Sequence, residues 1–388
     1  MGKKMYAFAP GRTEIAGNHV DHQHGIAVTG SLKQGISADI ELRDDNIIYI
    51  DSEGFPPFNV DLNQLKNNPA PDPSKFNTTE ALVAGVAAKF IQNGVDINGF
   101  SAKMKSNIGA GMGLSSSAAF ELLIGVVLNE AYANSRFNKM ELAQIGQYAE
   151  AEFYGKPCGL LDQTAISYGG IIKIDFKNPE LLDVKPIDFK FEDAGLGAVL
   201  VDSGAEHGDI SYLYAAIPGD MKKMSEICGV DFLGETNIDT LSEKLMEAEE
   251  KLGDKPALRG VNYFHEINLT LQRIQAMENK NAKLFTYLHG LSGSSSSQFL
   301  QNVTVSEEDQ QATLCQGICE LALDLACKND YTNRGASRIH GGGFGGCIQV
   351  FLPIEQVEEF CSIVNKIYGR QAASEIQFSE NGAYAEFI

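Results

Sequence analysis

The chain has 388 residues, 44% hydrophobic and 21% charged, which is apolar material for two ordinary cores and excludes a disordered polypeptide. A formal net charge of −20 argues against sequence-general nucleic-acid binding, which needs a positive surface, but allows a phosphate ligand in a locally positive cleft. The seven cysteines are odd in number and scattered, so free and mostly buried thiols are expected rather than a disulfide framework. The start, MGKKMYAFAP, has no long apolar segment, and Tyr6 stands where a myristoylation motif wants Ser or Thr. No apolar run approaches the roughly 18 residues of a membrane-spanning helix. The expectation is a soluble cytoplasmic protein with no nucleic-acid or membrane partner, a monomer or weak homo-oligomer.

Taken in chain order, MYAFAPGR (5–12) predicts a strand running into a loop. The stretch APGRTEIAGNHVDHQHG (9–25) then collects one arginine, two acids, three histidines and three glycines in 17 residues. GIAVTGSL (25–32) and GISADIELRDDNIIYIDS (35–52) alternate as strands do. FNTTEALVAGVAAKFIQNG (76–94) predicts a helix capped by Asn77 or Thr78, with Glu80 close behind. A short strand (99–108), a buried helix (114–133) and a helix ending at Gly155 follow, then strands at 169–176 and 195–204. From about Asp209 helices dominate, in 221–229, 240–253, 262–290 and 310–328, with LSGSSSSQF (291–299) expected as a serine-rich loop. The end reads strand (347–352), helix (354–371), strand (382–388). Strands and helices mix without a regular βαβ rhythm, which predicts an α+β protein of two domains with a boundary near 175–200.

Three segments carry chemistry. GAGMGLSSSAAF (109–120) alternates glycines, then places three serines before an apolar helix. Glycines let main-chain N–H groups approach an anion, and a helix start aims free N–H groups and a positive dipole end at the same place. No Lys follows, so it is not a Walker loop. The plainer alternative is a glycine turn with a serine-capped helix. In GKPCGLLDQTAISYGG (155–170), Asp162 stands among small and apolar residues, where acids are paired, working or capping a helix such as QTAIS. RIHGGGFGGCIQVF (338–351) surrounds one phenylalanine with five glycines, as a tight turn or as a loop that shapes a cleft.

Together these segments resemble the GHMP small-molecule kinases and, within them, the galactokinases. The family's first motif, PGR-x-N-x-x-G-E-H-x-D-Y-x-x-G, is read here as PGRTEIAGNHVDHQHG; G-x-G-L-S-S-S-A is matched at 111–118, CG-x-x-DQ at 158–163 and GGG-x-GG at 341–346. The resemblance covers most of the chain, with the motifs in family order. It implies a two-domain GHMP kinase fold, with mixed sheets in both domains (1–180 and 181–388) and the active site in the cleft between them. It further implies ATP and Mg2+ as cofactors and transfer of the γ-phosphate to the anomeric hydroxyl of galactose or a related sugar. On this carry-over Asp162 and Arg12 would be catalytic, and Asn18, His19, Asp21, Gly159 and Tyr214 would hold the sugar. Gly109, Gly111, Gly113, Leu114, Ser115, Ser116, Ser117 and Ala118 would hold ATP, and Ser117 and Glu150 the metal. The polar loop would then be a reader of sugar hydroxyls, each of which donates and accepts; a histidine metal clip at His22 and His24 is the competing reading.

Four departures stand out. The first motif's Asn is Glu14, its Glu is Asn18 and its Tyr is His22, and an Arg of a later loop is Glu206. An amide at position 18 is expected to change what is tolerated at the sugar's C6, including a uronic acid such as galacturonate. Glu206 keeps a non-catalytic sugar and ATP sensor as the alternative class. A GHMP kinase for an isoprenoid or amino-acid alcohol is disfavoured, since those substrates have no ring of hydroxyls to read.

Overall fold

The computed structural model describes residues 2–109, 112–205 and 211–388, Ser211 by its backbone alone. The chain opens with a long antiparallel pair, β1 (Lys4–Ala16) and β2 (Ile26–Leu42). Their register slips between Pro10 and Arg12 and again between Glu14 and Ala16. Such bulges re-aim side chains, and these two bracket Arg12 and Glu14, which both face the cleft described below. β3 (Ile47–Ser52), β4 (Phe58–Asp61), helices α1 (Leu62–Asn67) and α2 (Thr79–Gln92) and β5 (Phe100–Ser106) follow. Thr78 caps α2 by accepting from Ala81 N–H at 3.2 Å. Next come α3 (Ser116–Tyr132), α4 (Lys139–Tyr148), α5 (Leu161–Tyr168), β6 (Ile171–Asp175) and β7 (Asp183–Pro186).

The remainder runs β8 (Leu196–Asp202), α6 (Ser211–Ile227), α7 (Ile238–Leu252), α8 (Asp254–Glu278), α9 (Ala282–Ser295), α10 (Gln311–Ala326), β9 (Ala336–Ile339), β10 (Cys347–Pro353), α11 (Val357–Tyr368), β11 (Ala373–Ile376) and β12 (Tyr384–Phe387). Among the described residues these form two sheets. The first has the order β12-β1-β2-β5-β3-β4, with β6 on the other half of β2 and β7 beyond it. It is mixed, because β3 runs parallel to β5 while the other pairs are antiparallel. Its core joins Met5, Ala7 and Ala9 of β1 to Val86 and Phe90 of α2 and to Leu122, Leu123 and Val127 of α3.

The second sheet, β11-β8-β10-β9, was expected to be mixed and is antiparallel throughout. Helix α11 carries the chain from β10 to β11 across β8, so the two parallel strands never touch and each pairs with β8 in the opposite sense. The α+β expectation holds. The serine-rich stretch differs from expectation: it is the end of α9 and a widened turn at Ser296–Leu300. Ser294 and Ser297 donate to the carbonyls four residues back (3.2 and 3.1 Å), and Ser292 and Ser295 bond Glu266 and Asn262, so the hydroxyls do not pull the backbone out of the helix. All seven cysteines are free, and four of them are buried. No helix among the described residues is long and apolar enough to cross a membrane.

Candidate active site

A cleft of about 310 Å³ lies where the β1–β2 turn, the start of α5, helix α6 and the glycine loop before β10 converge. A larger cavity of about 940 Å³ opens between α9, α10 and the segment before β9. Of its lining charges Arg334 and Glu320 pair with each other at 2.6 Å, whereas the smaller cleft gathers Arg12, Asp21, Glu150, Lys156 and Asp162.

Asp162 sits in the first turn of α5 and caps nothing. Arg12 reaches it from the β1 bulge: Nε and Nη2 both lie 2.7 Å from Oδ1. Ser115 donates a short hydrogen bond to Oδ2. Burial alone would push the Asp162 carboxyl up, but the Arg12 charge and the hydrogen bonds from Arg12 and Ser115 outweigh it and hold the group below the usual carboxylate range. Arg12 is held in turn: its Nη1 donates to Gly113 O at 2.6 Å and its backbone N–H to Leu114 O at 3.1 Å. Arg12, Asp162 and the start of α3 are thus one connected unit.

Ser115, at the head of α3, has φ +57° and makes no capping bond, because its hydroxyl is on Asp162. The first-turn N–H groups of α3, at Ser116, Ser117 and Ala118, are left without a side-chain cap, the condition for anion binding. Gly113 has φ +66°, a conformation that suits glycine there. Leu114 and Ala118 turn their side chains into the core and offer only backbone. Gly109 and Ser116 are exposed, whereas Gly111, the central glycine of the expected cradle, lies outside the described residues, as does Glu206.

The five residues expected to hold a sugar all line the cleft. Asn18 is buried, and its amide is engaged on three sides: Nδ2 donates to Gly341 O (2.6 Å) and Glu14 Oε1 (3.2 Å), and Oδ1 accepts from Asn302 (3.1 Å). His19 Nε2 contacts Gly342 O at 2.9 Å, and Tyr214 donates to Gly343 O at 3.0 Å. A Cβ at Gly342 would come within 2.7 Å of the Tyr214 ring, which is why glycine stands there. Gly159 faces Asp21; a Cβ on it would lie 3.3 Å from Oδ2. Burial pushes the Asp21 carboxyl up, with the Asp162 charge adding to it against the pull of His19. The two carboxylates thereby differ: Asp162 is held ionised, and Asp21 takes a proton more readily.

Below the cleft, Ser117 Oγ lies 3.3 Å from Glu150 Oε1, which also meets Lys156 Nζ at 3.1 Å. Gln163, next to Asp162, donates to Glu150 (2.8 Å) and to Glu121 (3.1 Å). Burial and the Glu150 charge push the Glu121 carboxyl well up. Ser117 and Glu150 offer the hard oxygen donors that Mg2+ takes. Among the described residues no three acidic, His or Cys groups surround one point.

Sequence reasoning missed the charge network behind the cleft. Arg338, fully buried, makes a short pair with Glu14 and lies 3.6 Å from Glu266, which pairs with Arg273 at 2.5 Å. Arg338 and His340 lie in the RIHGGG segment, whose glycines drew attention before its charges. His340 contacts Thr13 Oγ1 at 3.0 Å; burial, then the charges of Arg12 and Arg338, push it down to about 3. The histidine clip does not form. His24 stacks on Phe232 at 3.7 Å, and His19 turns to the glycine loop.

The family description "GHMP kinases N terminal domain" matches residues 81–170, and "Galactokinase galactose-binding signature" matches 1–40. A galactokinase of Glaesserella parasuis is 27% identical over 378 residues, covering 96% of this chain and 91% of that protein. One from Lactococcus lactis subsp. cremoris is 27% identical over 375 residues, covering 94% and 87%. Among solved structures, Lactococcus lactis galactokinase complexed with galactose superposes with a TM-score of 0.79 at 23% identity, over 98% of this chain and 94% of that one. Methanococcus jannaschii mevalonate kinase gives 0.66 at 15% identity, over 96% and 98%. The chain thus carries a GHMP kinase N-terminal domain and a galactokinase galactose-binding signature, and is similar to galactokinases along nearly its whole length.

Proposed function

We propose that the chain is a galactokinase-like, ATP-dependent sugar kinase that transfers the γ-phosphoryl group to the anomeric C1 hydroxyl of galactose or a closely related hexose, giving the α-1-phosphate. The observation that carries this reading is the contact of three segments far apart in sequence, Arg12, Ser115 and Asp162, at one end of a cleft whose other wall is the polar loop. The division into 1–180 and 181–388 belongs to the same proposal, with the site between the two halves.

Such chemistry is mostly positioning and charge stabilisation. A hexose between Asp21, His19 and Gly159 would turn its anomeric hydroxyl toward Asp162. A carboxylate held as low as Asp162 is a weak base, so its work is to accept the hydroxyl's hydrogen bond and orient the attacking lone pair. The proton passes late to the Asp162 carboxylate that already accepts its hydrogen bond, as the new P–O bond forms and the bond to the departing ADP oxygen breaks. Arg12 lies between that carboxylate and the start of α3, where its charge serves both the acid and the transferring group. The open N–H groups of α3 would hold phosphate oxygens. Mg2+ bound at Ser117 and Glu150 would supply positive charge against the triphosphate.

A second reading, a hexose modified at C6 such as galacturonate, is favoured by one feature. The wall carries the Asn18 amide, while the neighbouring Glu14 carboxylate is bound to Arg338. The test is ATP consumption with Mg2+ over galactose, N-acetylgalactosamine, glucose, galacturonate and arabinose, with Asp162→Ala alongside. Turnover on one sugar, reduced in the variant by about 10²–10³ or more, is expected. Binding of sugar and ATP without turnover on any sugar would replace the kinase by a sensor.

A further inference from the structure

The turn between β1 and β2 is one helical turn, Asp21–Gln23, anchored on both sides of His22. Gly25 N–H bonds Val20 O at 2.9 Å, Gln23 accepts from Leu233 N–H at 3.0 Å, and the Tyr263 hydroxyl donates to Gln23 O at 3.0 Å. His24 is clamped on Phe232. His22 therefore has its backbone fixed beside the cleft that it lines. Its ring meets that of His19 edge-on, with centroids 5.9 Å apart. His19 and His24 both have an occupation; among the described residues His22 has none. Both of its ring nitrogens are buried and find no hydrogen-bond partner among the described residues.

A buried polar group without a partner is costly, and a neutral imidazole leaves two such atoms, one donor and one acceptor. An apolar ring would fill the same slot without that cost. Burial, then the charge of His19, pushes His22 down to about 3, so it remains a neutral donor and acceptor at ordinary pH. The cleft is where a partner can enter, and a hydroxyl, which also donates and accepts, is the matching chemistry.

We propose that His22 is a sugar-contacting residue that selects the substrate through one of its ring hydroxyls. The inference rests on the reading of the cleft as a sugar site. It adds to that reading a contact at a position where the family pattern has tyrosine and where no role was assigned from the resemblance.

The experiment is calorimetric binding of galactose, and of galactoses each lacking one hydroxyl, to the full chain and to His22→Phe and His22→Gln. His22→Phe is expected to weaken galactose about tenfold, with the effect confined to the sugar and absent from ATP binding. His22→Gln, which keeps a donor and an acceptor, recovers part of the loss. One deoxy sugar binds the parent about tenfold more weakly than galactose and loses nothing further in His22→Phe, which identifies the hydroxyl. Equal affinity of parent and His22→Phe for galactose and every deoxy sugar would overturn the proposal and leave the sugar site standing. If no sugar bound the parent protein, both readings would fall.

Discussion

At the scale of the residue, the most informative pair is Glu14 and Asn18. The motif that this chain resembles has Asn at the first position and Glu at the second, and here the two types are exchanged. They are not independent departures: the side chains hydrogen-bond at 3.2 Å, and Glu14 holds the buried Arg338. Each single reversal should be harmful. Glu14→Asn leaves Arg338 without its closest carboxylate, at a cost of about 3–5 kcal/mol, and Asn18→Glu sets a second carboxylate beside the first. The double reversal should be less destabilised than the sum of the two by about 0.5–3 kcal/mol in urea unfolding. Strict additivity would show that the exchange is not compensated. The exchange itself is plain in the sequence. That the two residues touch follows from the bulge between them, which no local pattern reveals.

At the scale of the element, the starts of α3 and α4 make a contrast. Asn138 caps α4 in a reciprocal box, accepting from Met140 and Glu141 N–H while Glu141 returns to the Asn138 N–H. Ser115 stands in the corresponding place on α3 but faces Asp162. Asn138→Ala should therefore lower stability by about 1 kcal/mol and leave turnover unchanged. Ser115→Ala should lower kcat/KM about tenfold or more, the range for a hydrogen bond to a charged group, with little effect on thermal stability. Paired melting and rate measurements on the two variants check the contrast; a melting loss in Ser115→Ala as large as that in Asn138→Ala would refute it. The three serines before the apolar helix α3 are plain in the sequence, and serine marks caps. The sequence could not show that this cap was diverted, because Asp162 is 47 residues further along the chain than Ser115. The serine-rich end of α9 was misread for a related reason: its hydroxyls find partners in Glu266 and Asn262 that only tertiary contact supplies.

At the scale of the whole molecule, acid sensitivity follows from buried neutral histidines. His289 is fully buried between Phe285 and Phe351, and burial, with the charges of Arg338 and Arg273, pushes it well down. Its folded value lies below its unfolded value of 6.5, so the unfolded chain takes up a proton that the folded one refuses. Stability from this group is present above pH 6.5 and falls below it by about 1.4 kcal/mol per pH unit, and His340 behaves likewise down to about 3. His289→Phe, which also removes an unpartnered Nδ1, should be near neutral at pH 7 and should reduce the slope by about one proton between pH 6.5 and 5. Urea midpoints across that range test it, and an unchanged slope would refute it. The α+β class was legible from the local mixture of patterns. The return of β12 to β1 and the capture of β6 by β2 were not, because both pairings join strands more than a hundred residues apart.

The glycine loop before β10 accepts hydrogen bonds from Asn18 and Tyr214 and meets the His19 ring nitrogen, through the carbonyls of Gly341, Gly343 and Gly342. A sugar hydroxyl that takes the Tyr214 proton and the His19 Nε2 contact for itself draws both from those carbonyls as it enters. The consequence is kinetic: arrival becomes an exchange of partners rather than a simple landing, so association runs below the rate that diffusion permits. Departure returns each donor to a carbonyl already in place, so the bonds lost with the leaving sugar are replaced as it goes.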